Sequence, residues 1–154
     1  MKRFVIFFFT GLLMFSCSQK SEKQEESMVA KTDTLVQKDG SVLSYEKPKQ
    51  NLISLRRDQT VYTPDYEKRL RKVAEYYIAN SEQSLIKFHK EKPESSLGFS
   101  FEENDWEDVN YTQIGIFNKS GNNMSTLQWL FYEPNSQKLY EFDLNTKKLQ
   151  EFKY

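Results

Sequence analysis

The chain has 154 residues, and its 22 Lys and Arg residues balance 22 Asp and Glu residues at a formal net charge of zero. This balance excludes the basic excess of most nucleic-acid-binding domains, so we expect no nucleic-acid partner. A single cysteine excludes a disulfide framework and a cysteine zinc site. A single histidine can supply only one imidazole ligand to a metal centre. We therefore expect neither a metal nor a cofactor.

The N-terminus has the layout of an export signal. Lys2 and Arg3 precede an apolar run from Phe4 to Phe15, and polar residues follow directly after Cys17. A helix of twelve residues spans about 18 Å, whereas the hydrocarbon core of a bilayer is about 30 Å thick. The run is too short for a comfortable membrane span, and it predicts a signal peptide over residues 1–16.

The end of this run, Met14-Phe15-Ser16-Cys17, resembles the lipobox of bacterial lipoproteins, in a relaxed form similar to that of the Bacteroidota. The resemblance implies cleavage before Cys17 and acylation of Cys17, so that lipid anchors the protein in a membrane of the bacterial cell envelope. It favours the outer membrane and leaves open the periplasmic or the surface face. Two or three acyl chains anchor durably, because each buried methylene contributes about 0.8 kcal/mol. The alternatives are an uncut apolar anchor and cleavage at another site.

The composition divides the remaining chain into two parts. Residues 17–33 begin with the lipidated cysteine and continue as a stretch rich in Ser, Glu, Lys and Gln that lacks aromatic residues. Such a composition cannot bury enough surface to offset its ordering entropy, so we predict a flexible tether. Residues 34–154 are predicted to form a single α+β domain.

Turn and capping signals predict the first elements of this domain. The pair Asp39-Gly40 between β-forming residues predicts an N-terminal hairpin. Thr63 and Pro64 form a helix start, and apolar residues then recur at three and four residues. We predict one long helix that runs to about Lys90, with Asn80-Ser81 as a position for a kink or a break.

After Pro93 the apolar period changes from 3.6 to 2. Alternating apolar residues separated by short polar turns predict about five strands in an antiparallel meander. The predicted architecture is therefore one long helix packed on one face of this meander, together with the N-terminal hairpin.

Two sets of candidate binding residues follow from this architecture. Glu102, Glu103, Asp105 and Trp106 belong to an acidic stretch that we predict to be a loop, and an aromatic side chain surrounded by carboxylates suits a basic ligand. A solvated loop is the simpler interpretation. The stretch lacks the spacing of calcium ligands that is typical of an EF-hand. Tyr111 and Tyr132 are expected on the sheet face that the helix leaves bare.

These features favour a small non-catalytic envelope lipoprotein that acts as a binding module, for example an inhibitor or an immunity protein. Its partner would be an envelope protein, a peptide or a glycan. The alternatives are a hydrolase that uses carboxylates of residues 102–108 and an accessory subunit of an outer-membrane complex. Ser84, Lys87 and His89 lack the companion motifs of a catalytic set, so the sequence favours a binding role without deciding the question.

Overall fold

The structure, a computed structural model, describes residues 31–92 and 94–154. Cys17, the predicted signal peptide and most of the predicted tether lie outside the described residues. In chain order the elements are β1 (Thr32–Val36), β2 (Val42–Glu46), β3 (Ile53–Arg56), α1 (Pro64–Asn80), α2 (Ser84–Glu91), β4 (Ser96–Trp106), β5 (Val109–Ser120), β6 (Asn123–Tyr132), β7 (Leu139–Asp143) and β8 (Lys148–Phe152).

Six strands form one mixed sheet in the order β3-β4-β5-β6-β7-β8. β3 and β4 are parallel and are connected through both helices, whereas the other neighbours in this sheet pair antiparallel. β1 and β2 form a separate two-stranded hairpin whose turn contains Asp39 and Gly40. The hairpin and the helices pack on the same face of the large sheet, which we call the inner face.

The predicted fold class is wrong in its helical part. Two helices replace the single long one, because Ser81 adopts an extended backbone with φ −63° and ψ 133° directly after α1. Side chains satisfy the carbonyl groups at this end: Asn80 Nδ2 donates to Tyr76 O at 2.9 Å, and Lys90 Nζ donates to Ala79 O at 2.8 Å. Together with the bond from the Ser81 N–H to Tyr77 O at 2.8 Å, these contacts satisfy part of the carbonyl groups at the end of the helix. Neither helix among the described residues is long and apolar enough to span a membrane.

The predicted five-stranded meander is also wrong, because 46% of the described residues lie in strands, and the large sheet has six strands and a parallel pair. The acidic stretch is not a loop, since β4 continues through it to Trp106. Glu107 and Asp108 alone connect β4 to β5, with φ of 48° and 62°. Positive φ at both central residues is the geometry of a two-residue type I′ hairpin turn. Such turns usually contain a glycine, and this one does not.

The hydrophobic core lies between the inner face and the elements that cover it. Its largest fully buried side chains come from α1, β4, β5 and β6, and they include Tyr77, Phe99, Phe101, Ile114 and Tyr132. Leu35 and Tyr45 of the hairpin complete this core, and the Tyr45 ring packs edge-on against Tyr76 with ring centroids 5.6 Å apart. The hairpin is therefore part of the domain core and not an appendage.

A network of charges connects the hairpin to α1. Lys72 Nζ lies 2.9 Å from Asp33 Oδ1 and donates to Thr34 O at 2.8 Å, while Lys47 Nζ lies 3.0 Å from Asp33 Oδ2. Arg69 donates to Val36 O at 2.7 Å. The hydrogen bond from Lys72, followed by those from the Thr34 N–H and Lys47, holds the pKa of Asp33 well below its usual range.

Replacing Asp33 tests this connection. Because its folded-state pKa is depressed, the stability that Asp33 contributes is complete above the ordinary aspartate pKa of about 4 and is lost as the pH falls towards the folded-state value. We expect Asp33→Asn to lower the free energy of unfolding by about 1 kcal/mol at pH 7 and by less below pH 4, as measured by urea denaturation. Glu46→Gln, at an exposed position of the same hairpin, is the control. An equal loss in both variants, or a loss independent of pH, contradicts the network.

Candidate binding surface on the outer sheet face

The sheet face opposite the helices, which we call the outer face, carries a layer of aromatic side chains. Side chains alternate between the two faces along each strand, and the strand registers place these rings together. The aromatic residues of this layer are Trp106, Tyr111, Phe117, Trp129, Phe131, Tyr140 and Phe142. Both tryptophans of the chain therefore lie on the outer face.

Two of these rings lie directly against the backbone of a neighbouring strand. A Cβ atom at Gly98 would lie 2.4 Å from Cζ of Phe117, and a Cβ atom at Gly115 would lie 2.6 Å from Cζ3 of Trp129. Real Cβ atoms do not approach other atoms so closely, so only glycine leaves room for the rings at these positions. Gly98 and Gly115 therefore seat Phe117 and Trp129 on the sheet.

A cation covers one of the seated rings. The Arg57 guanidinium carbon lies 5.1 Å from the Trp129 ring centroid, at a cation–π distance. Arg57 follows β3, and its N–H donates to Phe101 O at 3.1 Å, so the backbone of Arg57 is held beside β4. Trp129 is half-buried and Arg57 is exposed. The pair thus offers an aromatic surface and a guanidinium to the solvent at one place.

The tip of the β4–β5 hairpin curls over the other end of the aromatic layer. The Trp106 ring lies 5.7 Å from the ring of Phe131 and 5.3 Å from that of Phe142, which is on β7, three strands from β4. Three strand spacings in a flat sheet measure about 14 Å, so the contact requires a strongly curled sheet. Phe131 and Tyr111 are consequently 3% and 8% exposed, although they lie on the outer face.

Polar side chains accompany the rings. Gln113 Nε2 donates to Glu102 Oε1 at 2.9 Å, and Asn104 Nδ2 donates to Gln113 Oε1. Gln113 is 9% exposed, so this amide is fixed by its two neighbours on β4. The second carboxylate oxygen of Glu102 and the second amide proton of Asn104 remain available. The surface can thus stack on an apolar ligand face and hydrogen-bond to polar groups beside it.

The structure brings together only some of the predicted site residues. Glu102, Trp106 and Tyr111 share the outer face. Glu103 and Asp105 alternate to the opposite side of β4. Tyr132 is fully buried on the inner face, where its hydroxyl accepts a hydrogen bond from Arg69 Nε.

The remaining carboxylates of the acidic stretch bond to residues on the same side of the sheet. Glu103 Oε1 accepts from Thr112 Oγ1 at 3.2 Å, and the Thr112 hydroxyl lies 2.7 Å from that of Tyr66, whose pKa burial raises to about 12. Asp105 is exposed and accepts from Asn110 Nδ2 at 3.0 Å. On this side of the hairpin the carboxylates are therefore bonded to neighbouring hydroxyl and amide groups.

The other candidate side chains lie apart from both faces of this hairpin. Lys87 pairs with Glu82, and His89 Nδ1 lies 2.8 Å from Ser95 Oγ. Residues 31–92 and 94–154 contain no group of three or more His, Cys, Asp or Glu residues placed to hold a metal ion. No family model, curated protein or solved structure matches the chain.

The sequence indicated Trp129 only as one of many aromatic residues that could line a groove and Arg57 only as part of a basic patch, and it gave no sign of Phe117 or Phe142 as candidate residues. The alternation along β6 does separate Trp129 and Phe131 from Tyr132, but both sets are aromatic, so the pattern cannot decide which set faces the helices. The glycines could have indicated these rings. Gly98 and Gly115 alternate with large residues along their strands, and a glycine in a strand often marks a position where another group packs against the backbone.

Alanine at the two glycines tests how the rings are seated. We expect Gly115→Ala to cost about 1–2 kcal/mol of unfolding free energy and to change the tryptophan emission, because the Trp129 ring must move. Gly98→Ala should cost more, since its Cβ would also lie 2.5 Å from the backbone oxygen of Ile53, which cannot give way. Denaturant unfolding measures both.

Ser100→Ala is the matched control, because Ser100 lies on the same face and its buried hydroxyl has no hydrogen-bond partner in the described structure. Removing an unpartnered buried hydroxyl should leave stability unchanged or raise it. Glycine variants as stable as Ser100→Ala would contradict the seating of the rings.

Proposed function

We propose that this protein is a small lipid-anchored binding protein of the bacterial cell envelope, which holds another envelope component at its outer sheet face. The lipobox-like residues Met14-Phe15-Ser16-Cys17 support the anchor. The partner is an envelope protein, a peptide or a glycan, and inhibition of a secreted enzyme or toxin is one form of such binding.

The aromatic layer of the outer face is the observation that carries this proposal. Aromatic side chains supply large contact areas and lose little conformational entropy on binding, because they have only two side-chain torsions. Here Trp129 is fixed further by Gly115 beneath it, and Trp106 by Phe131 and Phe142. Pre-organised rings of this kind favour affinity, because less ordering is required when the partner binds.

The polar groups around the rings support a partner that also presents hydrogen-bonding groups. Arg57 can donate several hydrogen bonds from one plane, and Glu102 and Asn104 contribute an acceptor and a donor. Aromatic and arginine side chains are also the residue types that contribute most to measured interfaces. The face therefore suits a partner with both apolar and polar surface.

The proposal is tested by capturing the partner from detergent-solubilised envelopes with matched variants of the full chain. The wild-type protein should recover one stoichiometric partner, and Trp129→Ala should lose at least about 2 kcal/mol of binding, roughly a thirtyfold loss of affinity. Phe88→Ala is the control, because Phe88 is half exposed on α2, which covers the inner face. Equal recovery with both variants would exclude the outer face as the binding surface.

The anchor is tested separately in the same cells. Wild-type protein should fractionate with membranes and give a mass spectrum with an acylated Cys17 at its N-terminus, whereas Cys17→Ser should fail to acquire lipid. An unmodified thiol in the wild-type protein would remove the lipid anchor from the proposal without affecting the capture experiment.

A further inference from the structure

Part of β6 has a strand neighbour on one side only. β6 pairs with β5 along its length from Asn123 to Tyr132, but it pairs with β7 only at residues 130–132. Residues 123–126 are exposed. Along such an edge every second residue directs its N–H and C=O groups away from the sheet, where another strand can pair with them.

The other edges near the helices are closed by side chains. On β4, the Leu97 N–H donates to Gln50 Oε1 at 3.3 Å and the Glu103 N–H donates to Asp58 Oδ2 at 2.8 Å. On β1, the carbonyl groups of Thr34 and Val36 accept hydrogen bonds from side chains of α1. Among the described residues, no side chain bonds to the backbone of residues 123–127.

Charge also distinguishes β6 from the terminal strand β8. Charged side chains protect an edge against pairing with another chain, and β8 begins at Lys148 and is followed by Lys153. Residues 123–129, Asn-Met-Ser-Thr-Leu-Gln-Trp, contain no charged residue and no proline. The edge of β6 therefore lacks charged residues and proline, which are two of the features that prevent strand addition.

A β-bulge lies between the part of β6 that pairs with β7 and its open edge. The β5–β6 register passes from Gln128 opposite Ile116 to Thr126 opposite Phe117, so Leu127 is the extra residue of the bulge. A bulge bends its strand, so residues 123–126 diverge from the direction of the following part of β6, and β7 itself ends at Asp143. Gln128 Nε2 donates to Trp129 O and Phe142 O, each at 3.0 Å, and so connects β6 to β7 at the end of the unpaired edge.

An acidic cleft of about 370 Å³ lies beside this edge, between β6 and the β7–β8 turn. Its lining includes Leu127, Gln128, Glu141 and Asp143 but neither lysine nor arginine. Glu141 Oε1 accepts from the Tyr77 hydroxyl at 2.5 Å, which fixes the carboxylate at the cleft wall. The cleft can therefore accept the side chain of an extended basic segment that lies along β6.

We propose that residues 123–127 of β6 bind an extended peptide as an added strand and that the adjacent cleft receives a lysine or arginine side chain of that peptide. Main-chain pairing supplies affinity in this mode, and the cleft supplies the preference for a basic residue. The cleft shares only Phe142 with the aromatic layer, and the proposal does not depend on the function proposed above.

Selection from a display library of random nonapeptides against the full chain in detergent tests the proposal. We expect enriched peptides to alternate β-forming residues around a basic residue. N-methylation of alternate backbone amides in a synthetic copy of an enriched peptide should weaken binding at least tenfold, and glutamate in place of its basic residue should do the same. An absence of enriched peptides, or an N-methylated copy that binds equally well, would overturn strand addition.

Two further measurements locate the binding site. Glu141→Gln, which retains an acceptor for Tyr77, should weaken the basic peptide several-fold, whereas Glu151→Gln on β8 should bind it as the wild type does. Peptide binding should slow the exchange of alternate backbone amides within residues 123–127. Equal effects of the two variants, or exchange that slows only around Trp106 and Trp129, would contradict the location at β6.

Discussion

A sheet that receives its helices on one side has to shield its second face with its own side chains. In this protein α1, α2 and the β1–β2 hairpin all pack on the inner face of the six-stranded sheet. The outer face is shielded by aromatic rings, two of which lie against glycine backbone, and by the curled tip of the β4–β5 hairpin, which carries Trp106 to Phe131 and Phe142. Twist and glycine placement thus replace a second layer of helices.

This arrangement gives the aromatic side chains two roles in our proposal. The partly exposed rings that shield the sheet, among them Trp106, Trp129 and Phe142, would also contact a partner, so binding uses a surface that folding has already ordered. The length of β4 and β5 is essential to both roles, because Trp106 reaches β7 only when β4 continues through the acidic stretch to the Glu107-Asp108 turn.

Local chemistry was sufficient to predict the elements that depend on a few neighbouring residues. The turn at Asp39-Gly40 and the start of α1 at Thr63-Pro64 are found where the sequence indicates them. Features that depend on distant contacts were not predictable in this way. The parallel pairing of β3 with β4 is such a feature, because it depends on the path of the helices between them, whereas the sequence did indicate Asn80-Ser81, where α1 ends, as a position for a kink or a break.

The candidate site shows the same division. Alternation correctly separates the two sides of each strand, yet on β6 both sides are aromatic, so it does not indicate that Trp129 faces outward while Tyr132 meets Arg69. The acidic composition of residues 102–108 suggested a loop, because carboxylates are uncommon in strands. Pairing with β5 over the full length of β4 outweighs that preference.

The contact between Trp106 and Phe142 tests the curled sheet most directly, since a flat sheet would hold these side chains far apart. A double-mutant cycle with Trp106→Ala and Phe142→Ala measures their coupling free energy from denaturant unfolding. The curled structure predicts a coupling of about 1 kcal/mol, and it predicts no measurable coupling for a cycle that pairs Trp106 with Phe117, which is seated on Gly98 instead. Strictly additive effects of the Trp106 and Phe142 substitutions would contradict it.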